Sequence, residues 1–130
     1  MDRDGVLRWV DAYERAWRDD DVDAVGDLFT DDATYLRSPY EEPLVGREAI
    51  RAFWPDEPGT EFTMTSAPIA VDGDHAVVRV EVEYLRPDPH QYRDLWVIRF
   101  AADGRAEWFE EWPFWPGRPY TATAPAAVSS

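Results

Sequence analysis

His75-Ala76-Val77-Val78-Arg79-Val80-Glu81-Val82-Glu83-Tyr84-Leu85 alternates strictly between apolar and charged residues, and the fold follows from this run. Successive side chains of a strand point to opposite faces. Val78, Val80 and Val82 therefore share one face, and Arg79, Glu81 and Glu83 the other. Such a run predicts a long strand in a sheet with one wet side. Upstream, Asp72-Gly73 reads as a turn and Phe62 to Val71 as a second strand. Downstream, Pro87 and Pro89 end the run and Tyr92 to Phe100 reads as a third strand. Asp103-Gly104 is a hairpin signal, and Ala106 to Phe114 a fourth strand. On the third strand Asp94, Trp96, Ile98 and Phe100 share the more apolar face. On the fourth, Trp108, Trp112 and Phe114 read as more buried than Glu111.

Everything before this meander reads as mainly helical. Val6, Trp9, Val10, Tyr13, Ala16 and Trp17 recur at three- and four-residue spacing and form one apolar stripe. Asp11 with Arg15 and Glu14 with Arg18 are acid-before-base pairs on the far side. Asp19-Asp20-Asp21 breaks the pattern, and Asp21 caps a shorter helix that buries Val22, Val25, Leu28 and Phe29. Thr34-Tyr35-Leu36 predicts a short strand, followed by a loop with Pro39 and Pro43. Gly46 through Trp54 predicts a third helix, ended by Pro55 and the breaker segment to Gly59. The predicted class is α+β: three N-terminal helices on one face of a curved, mainly antiparallel sheet. Bends such as Pro68 would curl that sheet into a cone with a central pocket. One domain is expected over residues 1–115, with a Pro/Ala-rich tail over 116–130 and no internal repeat.

Composition narrows the function classes. The 130 residues carry 27 Asp and Glu against 13 basic residues, all Arg, for a formal charge of −14. A polyanion without a basic run repels phosphate backbones and anionic lipid, so neither nucleic acid nor membrane is an expected partner. Hydrophobic content of 45% with 15% aromatics supports a packed core. Cys is absent, which removes disulfides, thiolate nucleophiles and cysteine metal sites. Met1-Asp2-Arg3-Asp4 has no signal-peptide character and no apolar run reaches membrane-spanning length, so a cytoplasmic location is expected. There is no glycine-rich phosphate loop, and Ser38 and Ser66 lack a positioned base. His75 and His90 read as peripheral, without metal-ligand spacing. The seven Trp serve either as core filling or as flat walls for an apolar ring system. Tyr13, Trp17, Trp54, Trp96 and Phe109 are the candidate walls, while Trp108 or Trp112 suits an interface.

Several motifs carry a family resemblance. Tyr13-Glu14-Arg15-Ala16-Trp17 and Asp23-Ala24-Val25-Gly26-Asp27-Leu28-Phe29-Thr30-Asp31-Asp32-Ala33-Thr34-Tyr35 resemble the opening of the nuclear transport factor 2-like superfamily. Gly46-Arg47-Glu48-Ala49-Ile50 before an aromatic pair does so too. Arg99-Phe100-Ala101-Ala102-Asp103-Gly104-Arg105, then Glu110-Glu111-Trp112, is similar to the last two strands of the SnoaL-like branch. The resemblance implies a cone with a pocket between helices and sheet, usually a homodimer, needing neither cofactor nor metal. Enzymes of this superfamily place carboxylates, Tyr or His on the inner sheet face. Asp94 is one candidate, at the start of an inward face where desolvation raises a carboxyl pKa. The acid that holds the oxyanion in steroid isomerases falls at Trp96, so that activity is not supported. Limonene-type epoxide hydrolases carry an Arg-x-acid step, a second acid before an aromatic, and a Tyr on the first strand. Arg79, Glu81, Glu111 and Tyr35 match those positions. There one acid protonates the epoxide oxygen, the other activates water, and the Arg separates their charges. Both acids are Glu here where that family has Asp, and Arg37 stands where its water-binding Asn would be. Strand parity also assigns Arg79 and Glu81 to a charged outer face with cross-strand ion pairs. The implied function is cofactor-free acid–base catalysis on a small hydrophobic metabolite, as an isomerase, cyclase, dehydratase or epoxide hydrolase. The alternative is a non-catalytic ligand-binding or dimerisation module of the same fold.

Overall fold

The computed structural model describes residues 1–54 and 60–117. The breaker segment at 55–59 and nearly all of the expected tail lie outside the described residues. Helix α1 spans Arg3–Arg18, its N-terminus capped by the Asp2 carboxylate, which accepts from the Gly5 N–H at 2.8 Å. Val6, Trp9, Val10, Tyr13 and Ala16 are buried along one stripe, while the Asp11–Arg15 and Glu14–Arg18 pairs close outside at 2.7 and 2.8 Å. Asp21 accepts from Ala24 N–H and caps α2, Val22–Gly26. The chain continues as β1 (Phe29–Leu36), β2 (Leu44–Val45) and α3 (Arg47–Phe53). Gly46 enters α3 at φ 94°, a left-handed value that a side chain would strain. Then come β3 (Glu61–Asp72), β4 (His75–Arg86), β5 (His90–Phe100) and β6 (Ala106–Phe114).

These strands form one six-stranded sheet in the order β2-β1-β6-β5-β4-β3. The architecture is therefore mixed α+β, with the expected meander β3 to β6 extended by two strands. The first of these was expected only over Thr34–Leu36; it begins at Phe29 and lies parallel to β6, with Tyr35 opposite Phe109. Sequence could not show this pairing, because a parallel neighbour joins segments far apart in the chain. Helix α1 lies on the apolar sheet face: Trp9 meets Phe100 and Phe109 edge-on or tilted, and Tyr13 meets Trp96 at 4.6 Å between ring centroids. Phe29, Phe100, Phe109 and Trp96 are at most 2% exposed. Truncating one such ring to Ala costs roughly 3–5 kcal/mol.

Strand β6 departs from simple alternation, which corrects the expected facing of its residues. Phe100 pairs with Ala106, but Arg99 pairs with Trp108, so Glu107 is an extra residue in the ladder. Its carboxylate accepts from Arg99 Nε at 3.0 Å. This β-bulge resets the parity of all that follows. Phe109, Glu111 and Pro113 turn inward, while Trp112 and Phe114 are 40% and 39% exposed. A second bulge falls in β3, where Pro68 pairs with Val78 and Ala70 with Val77, leaving Ile69 outside the ladder and 48% exposed. Among the described residues no helix is long and apolar enough to cross a membrane.

Candidate functional site

A cleft of about 330 Å³ opens between the helices and the inner sheet face. Its helical wall is Tyr13 and Trp17 of α1, with Phe53 and Trp54 at the end of α3. Its sheet wall is Tyr35, Tyr84, Tyr92 and Trp96, with Glu111 as the one acidic lining residue. Ring packing fixes these walls: Tyr13 meets Trp54 edge-on at 4.9 Å, and Tyr35 lies 5.8 Å from Phe53. Phe109, expected as a wall residue, is fully buried beneath them and stacks on Tyr13 and Tyr35 at 5.5 and 4.8 Å. It supports the floor and does not reach the cleft.

The two inward acids sit side by side. Asp94 of β5 is 3% exposed and is the sole buried charged residue among those described. It lies opposite Pro113, and Trp96, two residues on, lies opposite Glu111, so Asp94 and Glu111 are diagonal neighbours on one face. Trp96 Nε1 donates to Asp94 Oδ2 at 3.0 Å, and the Tyr35 hydroxyl donates to Glu111 Oε2 at 2.9 Å. The Tyr13 hydroxyl lies 3.2 Å from that of Tyr35, extending the chain to α1. Burial raises the Asp94 carboxyl above its usual range, against opposing hydrogen bonds from Glu111, Trp96 and the backbone of Trp112 and Leu95. Burial raises Glu111 much further, and the hydrogen bond to Asp94 and its negative charge add to the effect. Two carboxylates so close in low dielectric cannot both be ionised at modest cost. Glu111 is the more strongly raised of the two, and Asp94 Oδ1 is buried without a donor among the described groups. Burial and the acid charge likewise hold the Tyr13, Tyr35 and Tyr92 hydroxyls protonated.

The structure keeps the expected Tyr35 with this pair and separates Arg79 and Glu81 from it. Arg79 and Glu81 lie on the exposed outer face of β4, where Glu81 approaches Arg93 at 3.6 Å with half its side chain in solvent. The strand's parity dictates this, since Val78, Val80 and Val82 occupy the inner face. Arg79 and Glu81 are therefore corrected to an outer ion-pairing surface, and among the described residues no arginine stands between the inner acids. Glu111, read from sequence as the less buried side, is brought inward by the Glu107 bulge. Arg37 lies over the Phe53 ring at 5.0 Å and pairs with Glu41 at 3.6 Å. His75 and His90 are exposed, beside Asp74 and Asp88. Tyr84, Tyr92 and Phe53 were not anticipated, although Tyr92 shares the parity of Asp94 and Trp96 and could have been found by it. Among the described residues no cluster of three or more His, Cys, Asp or Glu could hold a metal ion. A larger groove of about 400 Å³ beside Arg93, Phe114 and Trp115 contains no comparable acid pair.

A mixed sheet with helices on one face and a cleft between them defines a class of proteins, and solved structures of that class superpose on this one. An LEH-like epoxide hydrolase from Mycobacterium tuberculosis aligns at TM-score 0.70 and 19% identity, covering 86% of this chain and 84% of that one. A ketosteroid isomerase-like protein from Erwinia carotovora atroseptica aligns at 0.62 and 18%, covering 88% and 97%. An NTF2-like protein of unknown function from Mesorhizobium loti aligns at 0.68 and 21%, covering 88% and 95%. At these identities the likeness concerns the fold. The sequence itself matches the SnoaL-like domain over residues 9–108, and the chain belongs to that family. No curated protein matches it.

Proposed function

We propose that the protein is an acid–base enzyme, independent of any cofactor, acting on a small, uncharged, hydrophobic molecule held in the aromatic cleft. One observation carries this: two acids with raised carboxyls lie diagonally on the inner sheet face, at the end of a Tyr13–Tyr35–Glu111 chain. An acid and a base at one place are what proton-transfer catalysis requires. The fold likeness to an LEH-like epoxide hydrolase makes a cyclic epoxide the first substrate class to test. In that reaction Glu111 passes its proton to the epoxide oxygen as the C–O bond breaks. Asp94 takes a proton from the water that attacks the carbon. The diol leaves and the pair again holds one proton, so the atoms balance. The second reading is a ligand-binding module. It is favoured by the absence of an arginine between the acids, since Arg79 points outward.

Diol formation from cyclohexene oxide and related epoxides tests the choice. Wild-type turnover is expected, with losses of about a hundredfold or more in Glu111→Gln and in Asp94→Asn. Glu81→Gln should keep wild-type rates. Binding without turnover of epoxides or of isomerisable cyclic enones would select the module instead.

The proposal includes a homodimer formed across the outer sheet face. Leu95 and Trp112 are cross-strand partners there, exposed at 39% and 40%, with Phe114 at 39% beside Arg93. Contiguous apolar surface of this kind is typical of association sites.

A further inference from the structure

Four indole N–H groups of this chain have acceptors that are clear in the structure. Trp9 donates to the Leu28 carbonyl at 3.1 Å, Trp96 to Asp94 at 3.0 Å, and Trp108 and Trp112 both to Glu110 at 2.8 and 2.6 Å. Trp54 differs. It is 8% exposed, lines the cleft at the C-terminal end of α3, and its Nε1 is buried with no acceptor among the described residues. A buried donor without a partner is rare in folded proteins and destabilising, so each instance calls for a group that completes it. The ring cannot easily turn away, because Tyr13 meets it edge-on at 4.9 Å and Tyr35 at 6.3 Å.

We propose that Trp54 is the specificity-determining residue of the cleft: its indole N–H donates to an oxygen of the ligand. The ligand class is then an uncharged cyclic molecule bearing a carbonyl, ether or epoxide oxygen. Charge supports the choice among oxygen acceptors. Among the described residues no Arg, Lys or His lines the cleft and Glu111 does, with Asp94 buried beside it, so a carboxylate or phosphate oxygen would enter without a counter-charge. A neutral oxygen does not meet that penalty, and the surrounding rings take up the apolar body. The inference rests on the cleft as a ligand site, shared by both functional readings, and does not depend on catalysis.

The test uses 2-indanone and its hydrocarbon counterpart indane, which share a ring system and differ in the oxygen. Wild type should bind 2-indanone more tightly than indane. Trp54→Phe, which keeps an aromatic wall and removes the donor, should weaken 2-indanone about tenfold and leave indane nearly unchanged. In the wild-type protein the Trp54 indole ¹⁵N–¹H resonance, assigned through its contacts to the Tyr13 ring, should shift downfield with 2-indanone and not with indane. That second readout holds even if the variant does not fold. Equal affinity for the two probes, an unmoved indole resonance, or failure of both probes to bind overturns the inference. Failure of the acid–base proposal would look different, as oxygen-dependent binding through Trp54 without turnover of any epoxide or enone.

Discussion

Glu111 and Asp94, two of 27 acids, are set side by side on the inner sheet face by the fold. An exposed carboxylate such as Glu81 stays in contact with water, whereas burial raises the carboxyls of the inner pair. Both carboxyls are raised, by burial first and for Glu111 also by Asp94, so the native state holds a proton that the unfolded chain has released. The sign follows. This contribution to stability is fully present below the ordinary carboxylate range and is lost as pH rises through the raised native values, at about 1.4 kcal/mol per pH unit for one proton. Glu111→Gln cannot ionise, so it should gain stability relative to wild type as pH rises from about 5 to about 8. Urea denaturation of both proteins across that range measures the difference. Parallel pH dependences would show that Glu111 does not hold the proton.

At the scale of elements, β6 decides which acid becomes inner. Were Glu107 paired as an ordinary ladder residue, alternation from Ala106 would bury Trp108, Glu110 and Trp112 and send Glu111 to solvent. Deleting Glu107 removes the bulge and leaves Ala106 next to Trp108 in regular alternation, so Phe109, Glu111 and Pro113 stay inward and the variant should still fold cooperatively. Glu107→Ala keeps the residue count and loses only a half-exposed pair with Arg99, at a cost below about 1 kcal/mol. Thermal melts followed by circular dichroism check both. A deletion variant without a cooperative melt would mean that the bulge does more than set the facing of β6. Helix α1 has the opposite character. Its stripe and its i,i+4 pairs were legible in the sequence, because each depends on residues within a turn or two. The outer place of Arg79 and Glu81 was legible as well, since β4 alternates without interruption through both.

For the whole molecule, 27 acids against 13 basic residues set a strongly negative charge, and the apolar patch of Leu95, Trp112 and Phe114 on the outer sheet stands exposed within it. Light scattering at micromolar concentration should give twice the 15.0 kDa chain mass. Trp112→Glu, which places a charge beside Leu95 at the centre of the patch, should return the single-chain value. A wild-type mass of one chain would remove the homodimer. By itself the sequence determined the α+β order, the apolar stripe of α1, the strands of the meander, the inward parity of Asp94 and Trp96, and the family to which the chain belongs. These follow from local periodicity, capping and turn chemistry, which act over a few residues. Only the tertiary structure decided that β1 lies parallel beside β6, that Glu111 faces inward next to Asp94, and that Trp54, on the wall of the same cleft, carries a buried donor without a partner among the described residues. Each of these depends on contacts between segments distant in the chain, or on a single bulged residue that inverts every face after it.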